Sequence, residues 1–539
     1  MADEEYDDYD EEYEGEYEGE YDEENTSRLP AWLTDTPYWA ISAVLHVILL
    51  LIIGSIVLLE TSDDEDDKNT IVKRVFKKQE YDPKKKRDMF RKPEILNPEK
   101  EKPILKLKED IITEVPKGTD ENNLTNKNLM ADSVNDAFGT GGGAAGAYGN
   151  RFGRGSMVNE GGSAATESAV LAALYWLMRH QHPDGHWSSH QYYRKNTDEP
   201  YKLIKYEGYS DGTGFEGFDI GVTALAMLAY LGFGETHRSG QYPEFRPVMQ
   251  KAMKWMLKQQ ARSGPPEQEG RFGKEHPEEW IYNHAIATMA MAELLVLTED
   301  RLKLSKCVEK ATRYCLRSQN EGYGWRYGYK PARNDTSVTG WMVLALKTAR
   351  ACTKQRLIKI DNSEYQQPFE WALAWFHTST ARSGKCGYQS PGDPGSTLLK
   401  AYEDPYPFTK DLSCMTAVSV LCRLFAGESR RNAEIKKGVS IMMEELPDWR
   451  PARNKRKSKI NMYYWYYATY AMFQHGGSQW REWNKAMQES LLPTQIQGGD
   501  EDGSWDPIGE WGIAGGRAYA TAINAMTLEV YYRFVRAGS

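Results

Sequence analysis

Two kinds of apolar pattern alternate along residues 165–535. In the first kind, apolar residues recur at helical spacing with polar residues between them, which predicts an amphipathic helix. In the second kind, apolar or small residues occupy nearly every position, which predicts a helix that is buried on all sides. The amphipathic helices are predicted at residues 165–181, 246–260, 303–319, 367–378, 431–445 and 480–492.

A small-residue stretch follows each amphipathic helix, and every such stretch carries a threonine. These threonines are Thr223, Thr288, Thr339, Thr416, Thr469 and Thr521. Repeats of roughly 50 residues indicate stacked supersecondary units that bury a core only together. The small-residue helix of each pair is expected inside and the amphipathic helix outside. The pattern therefore predicts an all-α fold over residues 164–539, a closed (α/α)6 toroid of six helical hairpins.

Several of the amphipathic helices end in the same way, with a glutamine, then a glycine, then an aromatic residue. The clearest copy is Gln181, Gly185 and Trp187, and weaker copies contain Gln319 with Trp325, Gln260 with Phe272, and Gln495 with Trp505. A glutamine at a helix end can bond carbonyls that lack partners, and a glycine permits a left-handed turn. The aromatic residue is then expected to fold back over the helix. Each copy therefore predicts a helix end that the glutamine, the glycine turn and the aromatic residue hold together, called a stapled helix exit below.

The Gln-x-x-x-Gly-x-Trp ending at Gln181 resembles the QW repeat of squalene and oxidosqualene cyclases. The hairpin period is also similar to that of protein prenyltransferase β subunits. The resemblance implies an α/α toroid and, as one possible activity, a terpene cyclase-like or prenyltransferase-like enzyme acting on an isoprenoid substrate. Toroids of this kind also serve as binding domains, so the fold alone does not select the function.

The residues that those activities require are not found in the toroid sequence. A class II cyclase needs clustered aspartates in its cavity to protonate an alkene or epoxide, and no such cluster follows residue 160. Asp64 to Asp67 have the Asp-x-Asp-Asp pattern of the acid motif of triterpene cyclases, but they lie in the tether and not in the toroid. A prenyltransferase holds Zn²⁺ with Asp, Cys and His, and the Asp and Cys of that family form an Asp-x-Cys pair. This pair is absent here, because Asp411 and Cys414 are three positions apart. We therefore favour a non-catalytic toroid that binds a partner protein or an apolar ligand, with the enzyme as the alternative.

Five residues of the small-residue helices are candidates for ligand binding, namely Asp219, His284, Asp335, Asp411 and Tyr467. An aspartate just before such a helix is more often an N-cap than a catalytic group. The starts of the inner helices gather at one mouth of a toroid, however, so the three aspartates could ring a pocket. The aromatic run that contains Tyr467 either lines an apolar cavity or packs the core.

Histidine and cysteine usage gives no clear metal or redox site. His180, His182, His186 and His190 are dense enough to suggest a metal, but they straddle a repeat turn. The six cysteines include no Cys-x-x-Cys pair, and several fall at apolar helical positions where cysteine acts as a small hydrophobe. The sequence predicts no metal site, no cofactor and no nucleic-acid partner.

Residues 1–37 form an acidic tail that is rich in Tyr and Glu. Its first 27 residues contain fifteen Asp or Glu and no Lys or Arg, so the remainder of the chain carries a net charge of +5. Like charges repel and little apolar surface is available for burial, which predicts a disordered segment. The tail either keeps the chain soluble or docks on a basic cytoplasmic partner.

Residues 38–59 are 22 residues without an acid, Lys or Arg. At 1.5 Å per residue, this stretch is long enough to cross roughly 30 Å of hydrocarbon. It is predicted to be a transmembrane helix in a lipid bilayer, with Trp32, Tyr38 and Trp39 at its first interface. A cleaved signal peptide is disfavoured because the apolar stretch is too long and an acidic segment precedes it. No later stretch is expected to combine this length with this apolarity, which predicts a single-pass protein.

Ser42 and His46 lie four residues apart in this span and so share one helical face. An ionisable group at membrane depth is a functional hypothesis by default. The Ser-x-x-x-His pair resembles the anchor of TonB-type energy transducers, which implies docking on a proton-driven ExbB/ExbD complex. The alternative is a histidine that bonds a serine of a second helix in a dimer.

Residues 60–163 are first charged and then Gly-rich, which predicts a flexible tether between the span and the toroid. Lys68, Lys73 and Arg74 follow the span, whereas only Arg28 is close on its other side, and this distribution favours a cytoplasmic toroid. The transducer resemblance implies the opposite orientation. The orientation predicted here is that of a bacterial inner-membrane protein with its toroid in the periplasm.

Overall fold

The computed structural model describes residues 161–194, 208–209, 212, 214–274, 280–393, 413–450, 459–509 and 511–533. The predicted acidic tail, the predicted membrane span with Ser42 and His46, and almost all of the tether lie outside the described residues. Asp411 lies outside them as well. Apart from residues 161–163, the described residues belong to the predicted toroid.

Helices make up nearly all of the regular structure in the described residues. In chain order they are α1 (Ala164–Arg179), α2 (Asp219–Phe233), α3 (Phe245–Lys258), α4 (Trp280–Thr298), α5 (Arg301–Ser318), α6 (Thr336–Lys354), α7 (Gln366–Thr378), α8 (Cys414–Phe425), α9 (Ala433–Met443), α10 (Met462–His475), α11 (Gly477–Leu491), α12 (Gly512–Leu528) and α13 (Val530–Arg533). Short 3₁₀ helices cover Asn362–Tyr365 and Leu492–Thr494. One antiparallel pair of short strands joins β1 (Tyr193–Arg194) to β2 (Gly208–Tyr209). The prediction of an all-α fold is confirmed.

Burial differs between two sets of helices, as the apolar patterns predicted. The odd-numbered helices from α1 to α11 bury mainly one face, whereas the even-numbered helices are buried nearly all round, as α3 and α2 show. In α3, the buried residues include Phe245, Val248, Met249, Ala252 and Met256, which recur every three or four positions along one face. In α2, every residue from position 221 to position 232 is buried. A helix with one apolar face lies at the outside of the core, whereas a helix that is apolar all round needs neighbours on every side.

The even-numbered helices form a closed ring. Each contacts the next, from α2 to α4, α6, α8, α10 and α12, and α12 contacts α2 again. The odd-numbered helices pack around this ring: α1 contacts α12 and α2, α5 contacts α4 and α6, and α7 contacts α6 and α8. Six inner and six outer helices in this arrangement make the predicted (α/α)6 toroid.

The glutamine of each stapled helix exit bonds two carbonyl groups at once. Gln181 Nε2 donates to Gly185 O in its own turn and to Val248 O in α3, both at 2.9 Å. The same pair of bonds is made by Gln260 to Gly270 O and Cys307 O, by Gln319 to Tyr323 O and Pro368 O, and by Gln495 to Gly503 O and Ala169 O. The second bond always reaches the next outer helix. Because Ala169 lies in α1, Gln495 joins the last repeat to the first.

The aromatic residue of these exits folds back over the helix that it follows, as predicted. Trp187 Nε1 donates to Leu177 O at 2.7 Å, and Trp325 Nε1 donates to Cys315 O at 2.9 Å. These carbonyls belong to the last turns of α1 and α5, where helical hydrogen bonding ends, and each has one further donor, His180 N for Leu177 O and Ser318 Oγ for Cys315 O. The tryptophan therefore satisfies a helix end and buries a large apolar side chain at the same position.

One helix of the described residues, α4, is long and apolar enough to cross a membrane. Its apolar window is 18 residues long and contains Glu293, so it matches neither the 22-residue length of positions 38–59 nor their lack of Asp, Glu, Lys and Arg, and the single-pass expectation stays a prediction. Within the window Ile281–Thr298, 83% of the residues are buried inside the toroid. The composition of α4 follows from its place in the inner ring, where protein surrounds it on all sides.

Candidate functional site

A cavity opens at the end of the inner ring where the inner helices begin. The cavity volume is about 110 Å³, and its walls are almost entirely apolar. The described residues that line it are Phe218, Gly221, Val222, Leu225, Tyr282, Asn283, Ile286, Tyr327, Ser337, Trp341, Tyr463, Trp511, Ala514, Gly515 and Tyr519. Most of them belong to the first turns of α2, α4, α6, α10 and α12. The toroid therefore brings several inner-helix starts together at one pocket.

Aromatic side chains fill the ring beneath this cavity. Trp341 lines the cavity and stacks on Tyr466, with 5.8 Å between the ring centroids and 12° between the planes. Tyr467 meets Trp341 edge to face at 5.5 Å. Deeper still, Tyr470 donates its hydroxyl hydrogen to Met526 O at 2.7 Å. The aromatic run on α10 thus forms the floor of the cavity and the core below it.

Tyr467 was a candidate for ligand binding, and the structure places it in this floor. It is fully buried and packs against Trp341, Tyr463 and Tyr466. The residue of the same run that lines the cavity is Tyr463. Its hydroxyl forms a 2.7 Å hydrogen bond with the Ser337 hydroxyl, and both residues face the cavity. This pair is a polar spot in an otherwise apolar wall.

A buried ion triad occupies the opposite end of the inner ring. Arg533 Nη2 lies 2.7 Å from Glu293 Oε2 and its Nη1 lies 3.1 Å from Glu529 Oε2. All three side chains have no solvent exposure. Arg533 Nη1 also donates to Leu228 O at 2.6 Å. The guanidinium therefore links α2, α4 and the end of α12, and it forms ion pairs with both buried carboxylates.

Asp335 is the N-cap of α6, as expected for an aspartate just before a helix. Its Oδ1 accepts a hydrogen bond from Val338 N at 2.7 Å. Asp335 is fully buried, and its Oδ2 has no hydrogen bond of ordinary geometry. Burial raises the pKa of Asp335 to about 7, although the Val338 N–H and the charge of Arg326 act in the opposite direction. Asp335 adjoins the cavity through Ser337 but does not line it.

His284 is placed in the core, where its Nδ1 accepts the backbone hydrogen bond that a threonine hydroxyl accepts in other repeats. In three other repeats, the turn tryptophan donates its backbone N–H to a threonine hydroxyl, as from Trp187 to Thr223 at 2.9 Å. In the second repeat, Phe272 N donates to His284 Nδ1 at 3.1 Å. Burial lowers the pKa of His284 to about 3, which keeps the ring neutral. Its contacts are those of a structural residue, and it does not line the cavity.

Asp219 lies at the rim, in the first turn of α2 and next to Phe218, which lines the cavity. Its side chain does not cap the helix. Instead, Asp219 Oδ1 accepts hydrogen bonds from Ser189 N at 2.8 Å and Ser189 Oγ at 3.1 Å. Its Oδ2 lies 3.8 Å from His186 Nε2. Of the five candidates, Asp219 and Asp335 therefore lie beside the cavity, while His284 and Tyr467 lie in the core.

Sequence reasoning missed most of the residues that line the cavity, including Tyr282, Asn283, Trp511 and Tyr519. The available signal was position, because many lining residues fall in the first two turns of an inner helix. Asn283 shows a second signal, a polar amide in an apolar stretch. Its Oδ1 accepts from Gly221 N at 3.0 Å, and its Nδ2 donates to Gly217 O at 2.8 Å. This amide joins the starts of α2 and α4.

We expect Asp335→Asn to gain stability relative to the wild type as the pH rises. The folded-state pKa of Asp335 is raised to about 7, above the ordinary 3.8. Ionisation therefore costs more in the folded state, and wild-type stability is lost between these two values. An asparagine keeps the acceptor for Val338 N but does not ionise. The difference in unfolding free energy between variant and wild type should grow by about 2–3 kcal/mol from pH 5 to pH 8.

Urea unfolding at several pH values measures this difference. Asp361→Asn is the matched control, because Asp361 is an exposed N-cap. Hydrogen bonds from Ser363 lower the pKa of Asp361 below its ordinary 3.8, so the stability difference between Asp361→Asn and wild type should stay nearly constant from pH 5 to pH 8. A difference between Asp335→Asn and wild type that stays constant with pH would contradict a raised pKa.

Comparisons with known proteins leave the family open. No protein-family model matches the chain, and no curated protein matches it. Among solved structures, the apo type II terpene cyclase MstE from Scytonema is 11% identical, with a TM-score of 0.39, over 68% of this chain and 97% of that chain. A variant of MstE in complex with geranylgeranyl dihydroxybenzoate is 13% identical over the same shares, also with a TM-score of 0.39. A protein from Actinoplanes is 11% identical over 69% of this chain and all of that chain, with a TM-score of 0.35. Likeness at this level shows neither activity nor substrate for this chain.

Proposed function

We propose that this chain is a membrane-anchored α/α-toroid protein that binds an apolar ligand at the start of its inner helices. The observation that carries the proposal is the cavity, whose walls are aromatic and aliphatic with few polar groups. Concave sites with mostly apolar walls and a few polar groups are the usual binding sites for small apolar molecules. The anchor is proposed from the 22 uncharged residues at positions 38–59.

The polar groups of the cavity suggest the kind of ligand. The Asn283 amide already bonds Gly217 and Gly221, so it offers little to a ligand. The hydroxyls of Ser337 and Tyr463 bond each other and lie together in the wall. A ligand with a long hydrocarbon body and one hydroxyl or carbonyl group fits this arrangement, because it would bury apolar surface and place its polar group at one spot.

The described residues that line the cavity favour binding without cyclisation, because they include no strong acid. Protonating an alkene or an epoxide requires a strong acid, and no carboxylate is among the described residues that line the cavity. Burial instead raises the pKa of the adjacent Asp335 to about 7. A carboxylic acid of that pKa is roughly a thousand times weaker than an ordinary aspartic acid. A terpene cyclase-like or prenyltransferase-like enzyme remains the rival function, and product analysis separates the two.

The test is binding of geranylgeraniol, a probe with a hydrocarbon body and one hydroxyl group, by the full chain in detergent. We expect the wild type to bind the probe and to release it unchanged, as judged by mass spectrometry. Ala514→Phe places a ring in the cavity and should weaken binding at least about tenfold, a loss of roughly 1.4 kcal/mol. Ala514 lines the cavity and is 8% exposed, so its side chain points into limited space.

The matched control is Ala374→Phe, which adds the same ring to an exposed position on the outer helix α7. This control should bind the probe as the wild type does, and both variants should retain the wild-type circular dichroism spectrum. Equal binding by Ala514→Phe and wild type would remove the cavity as the site. A cyclised product would establish the enzyme in place of the binding protein.

A further inference from the structure

The turn that follows α1 brings three potential metal ligands together. His182, Asp184 and His186 alternate with Pro183 and Gly185, and one ligand atom from each lies within 4.8 Å of the others. The turn reverses the chain, because His182 N donates to His186 O at 2.9 Å and Gly185 N donates to His182 O at 2.8 Å. The two histidine side chains therefore lie on the same side. Their ring centroids are 4.4 Å apart.

Both imidazoles direct Nδ1 at the same carboxylate oxygen. His182 Nδ1 and His186 Nδ1 each lie 2.6 Å from Asp184 Oδ1. A hydrogen bond there requires a proton on each Nδ1. Asp184 N, however, also donates to His182 Nδ1 at 3.2 Å, which requires the lone pair of the same nitrogen. The contacts of His182 Nδ1 thus fit either protonation state of this nitrogen, and each of the three atoms can offer an electron pair to a cation when neither Nδ1 carries a proton.

We propose that His182, Asp184 and His186 bind a divalent transition-metal ion, for which Zn²⁺ is the suitable probe. Two imidazole nitrogens and one carboxylate oxygen are a ligand set that zinc and other first-row divalent ions accept. Three protein ligands leave a fourth position for water. The site is distinct from the apolar cavity, and it does not rest on the proposed ligand binding. The sequence predicted no metal because these histidines straddle a turn, and the turn is what brings them together.

Neighbouring residues hold the ligands as the surroundings of a metal site do. Asp219 Oδ2 lies 3.8 Å from His186 Nε2, on the far side of the ring from the proposed ion. At 3.8 Å the carboxylate accepts no hydrogen bond from the ring, so Asp219 favours a cation at this site through its negative charge alone. Ser189 fixes Asp219 through two hydrogen bonds. The His186 ring also stacks on Trp255, with 5.1 Å between centroids and 21° between planes.

The turn itself is rigid at its glycine. Gly185 has φ of +109°, and a Cβ at this position would come within 2.4 Å of Lys251 O. Gln181 also bonds Gly185 O at 2.9 Å, so the stapled helix exit holds the loop that carries the ligands. Ligands on a fixed loop lose little freedom when they bind an ion.

The experiment measures Zn²⁺ binding to the untagged, chelator-treated full chain in detergent by isothermal titration calorimetry. We expect one Zn²⁺ per chain. His182→Gln and His186→Gln should each weaken binding by more than about 100-fold, and Asp219→Asn should weaken it by less than either histidine variant. The matched control is His190→Gln, which removes a nearby histidine whose Nδ1 faces Gly214 O at 2.9 Å. This control should bind Zn²⁺ as the wild type does.

Two results would overturn the proposal. One is a wild-type chain that takes up less than one Zn²⁺ at micromolar concentration. The other is a pair of folded variants, His182→Gln and His186→Gln, that bind Zn²⁺ like the control. X-ray absorption of the Zn²⁺-loaded wild type gives a third measurement that needs no variant. It should show two imidazole nitrogens and oxygen ligands at about 2.0–2.2 Å, and thiolate ligation would contradict the assignment.

Discussion

Arg533→Met is expected to destabilise the toroid by about 3–5 kcal/mol, because it leaves two buried carboxylates without their counter-charge. Arg533 forms ion pairs with Glu293 and Glu529, and none of the three side chains is exposed to solvent. Methionine fills much of the same volume but cannot bond Glu293, Glu529 or Leu228 O. The measurement is the free energy of the first urea unfolding transition at pH 7, compared with the wild type.

The matched control for this prediction is Arg517→Met. Arg517 pairs with Asp506 at 2.7 Å, but Asp506 is 53% exposed, so water can solvate the carboxylate that remains. Arg517→Met should lower the free energy of unfolding by about 1 kcal/mol or less. Adding Glu293→Gln and Glu529→Gln to Arg533→Met removes the two stranded charges and should recover much of the lost stability. If Arg533→Met costs no more than Arg517→Met, the triad does not stabilise the ring as described.

The architecture was predictable because the same sequence features recur in every part of the ring. Apolar periodicity separates an amphipathic helix from one that is buried all round, and the two kinds alternate along the chain. Helix ends were less predictable. The sequence suggested that the first helix extends to residue 181, whereas α1 ends at Arg179. His180 and Gln181 are used in the turn, where Gln181 bonds Gly185 and Val248.

The cavity and the metal cluster could not be read from these patterns, for two physical reasons. Hydropathy shows that a residue faces inward, but it does not show at which depth of the ring it lies. Tyr463 and Tyr467 are one turn apart on α10, yet one lines the cavity and the other lies in its floor. Chain reversal is equally invisible, since the spacing of His182 and His186 does not reveal that their rings meet above Asp184.

Ring closure was expected from the number of repeats, but its contacts were not. Gln495 Nε2 donates to Ala169 O at 2.8 Å across 326 residues of sequence, and Arg179 Nη2 donates to Asp502 O at 2.7 Å. These bonds repeat the contacts between consecutive hairpins with partners from the two ends of the toroid. A repeat pattern shows which groups of each hairpin can bond the next hairpin. It does not show that the last hairpin bonds the first, because that contact depends on the curvature of the whole ring.

If the predicted span docks on a proton-driven ExbB/ExbD-type complex, as its Ser-x-x-x-His resemblance implies, we expect His46→Ala to abolish the coupling, the largest functional effect predicted for this chain. A helix that serves only as an anchor needs length and apolarity, and residues 38–59 keep both after this change. A helix that takes energy from a proton-driven complex must instead present the face of Ser42 and His46 to that complex. A buried imidazole could find there the partners that lipid denies it. Membrane insertion and toroid folding should be unchanged.

The comparison that tests this prediction is site-specific cross-linking of the span to ExbB/ExbD-type subunits in membranes. We expect cross-links in the wild type, their loss in His46→Ala, and little change in Leu50→Ala, which alters an equally central apolar position. Any growth defect of a deletion strain should be complemented by Leu50→Ala but not by His46→Ala. If His46→Ala cross-links and complements like the wild type, the Ser-x-x-x-His pair does not couple the toroid to a motor. The span would then act as an anchor, because its apolar length alone explains membrane insertion.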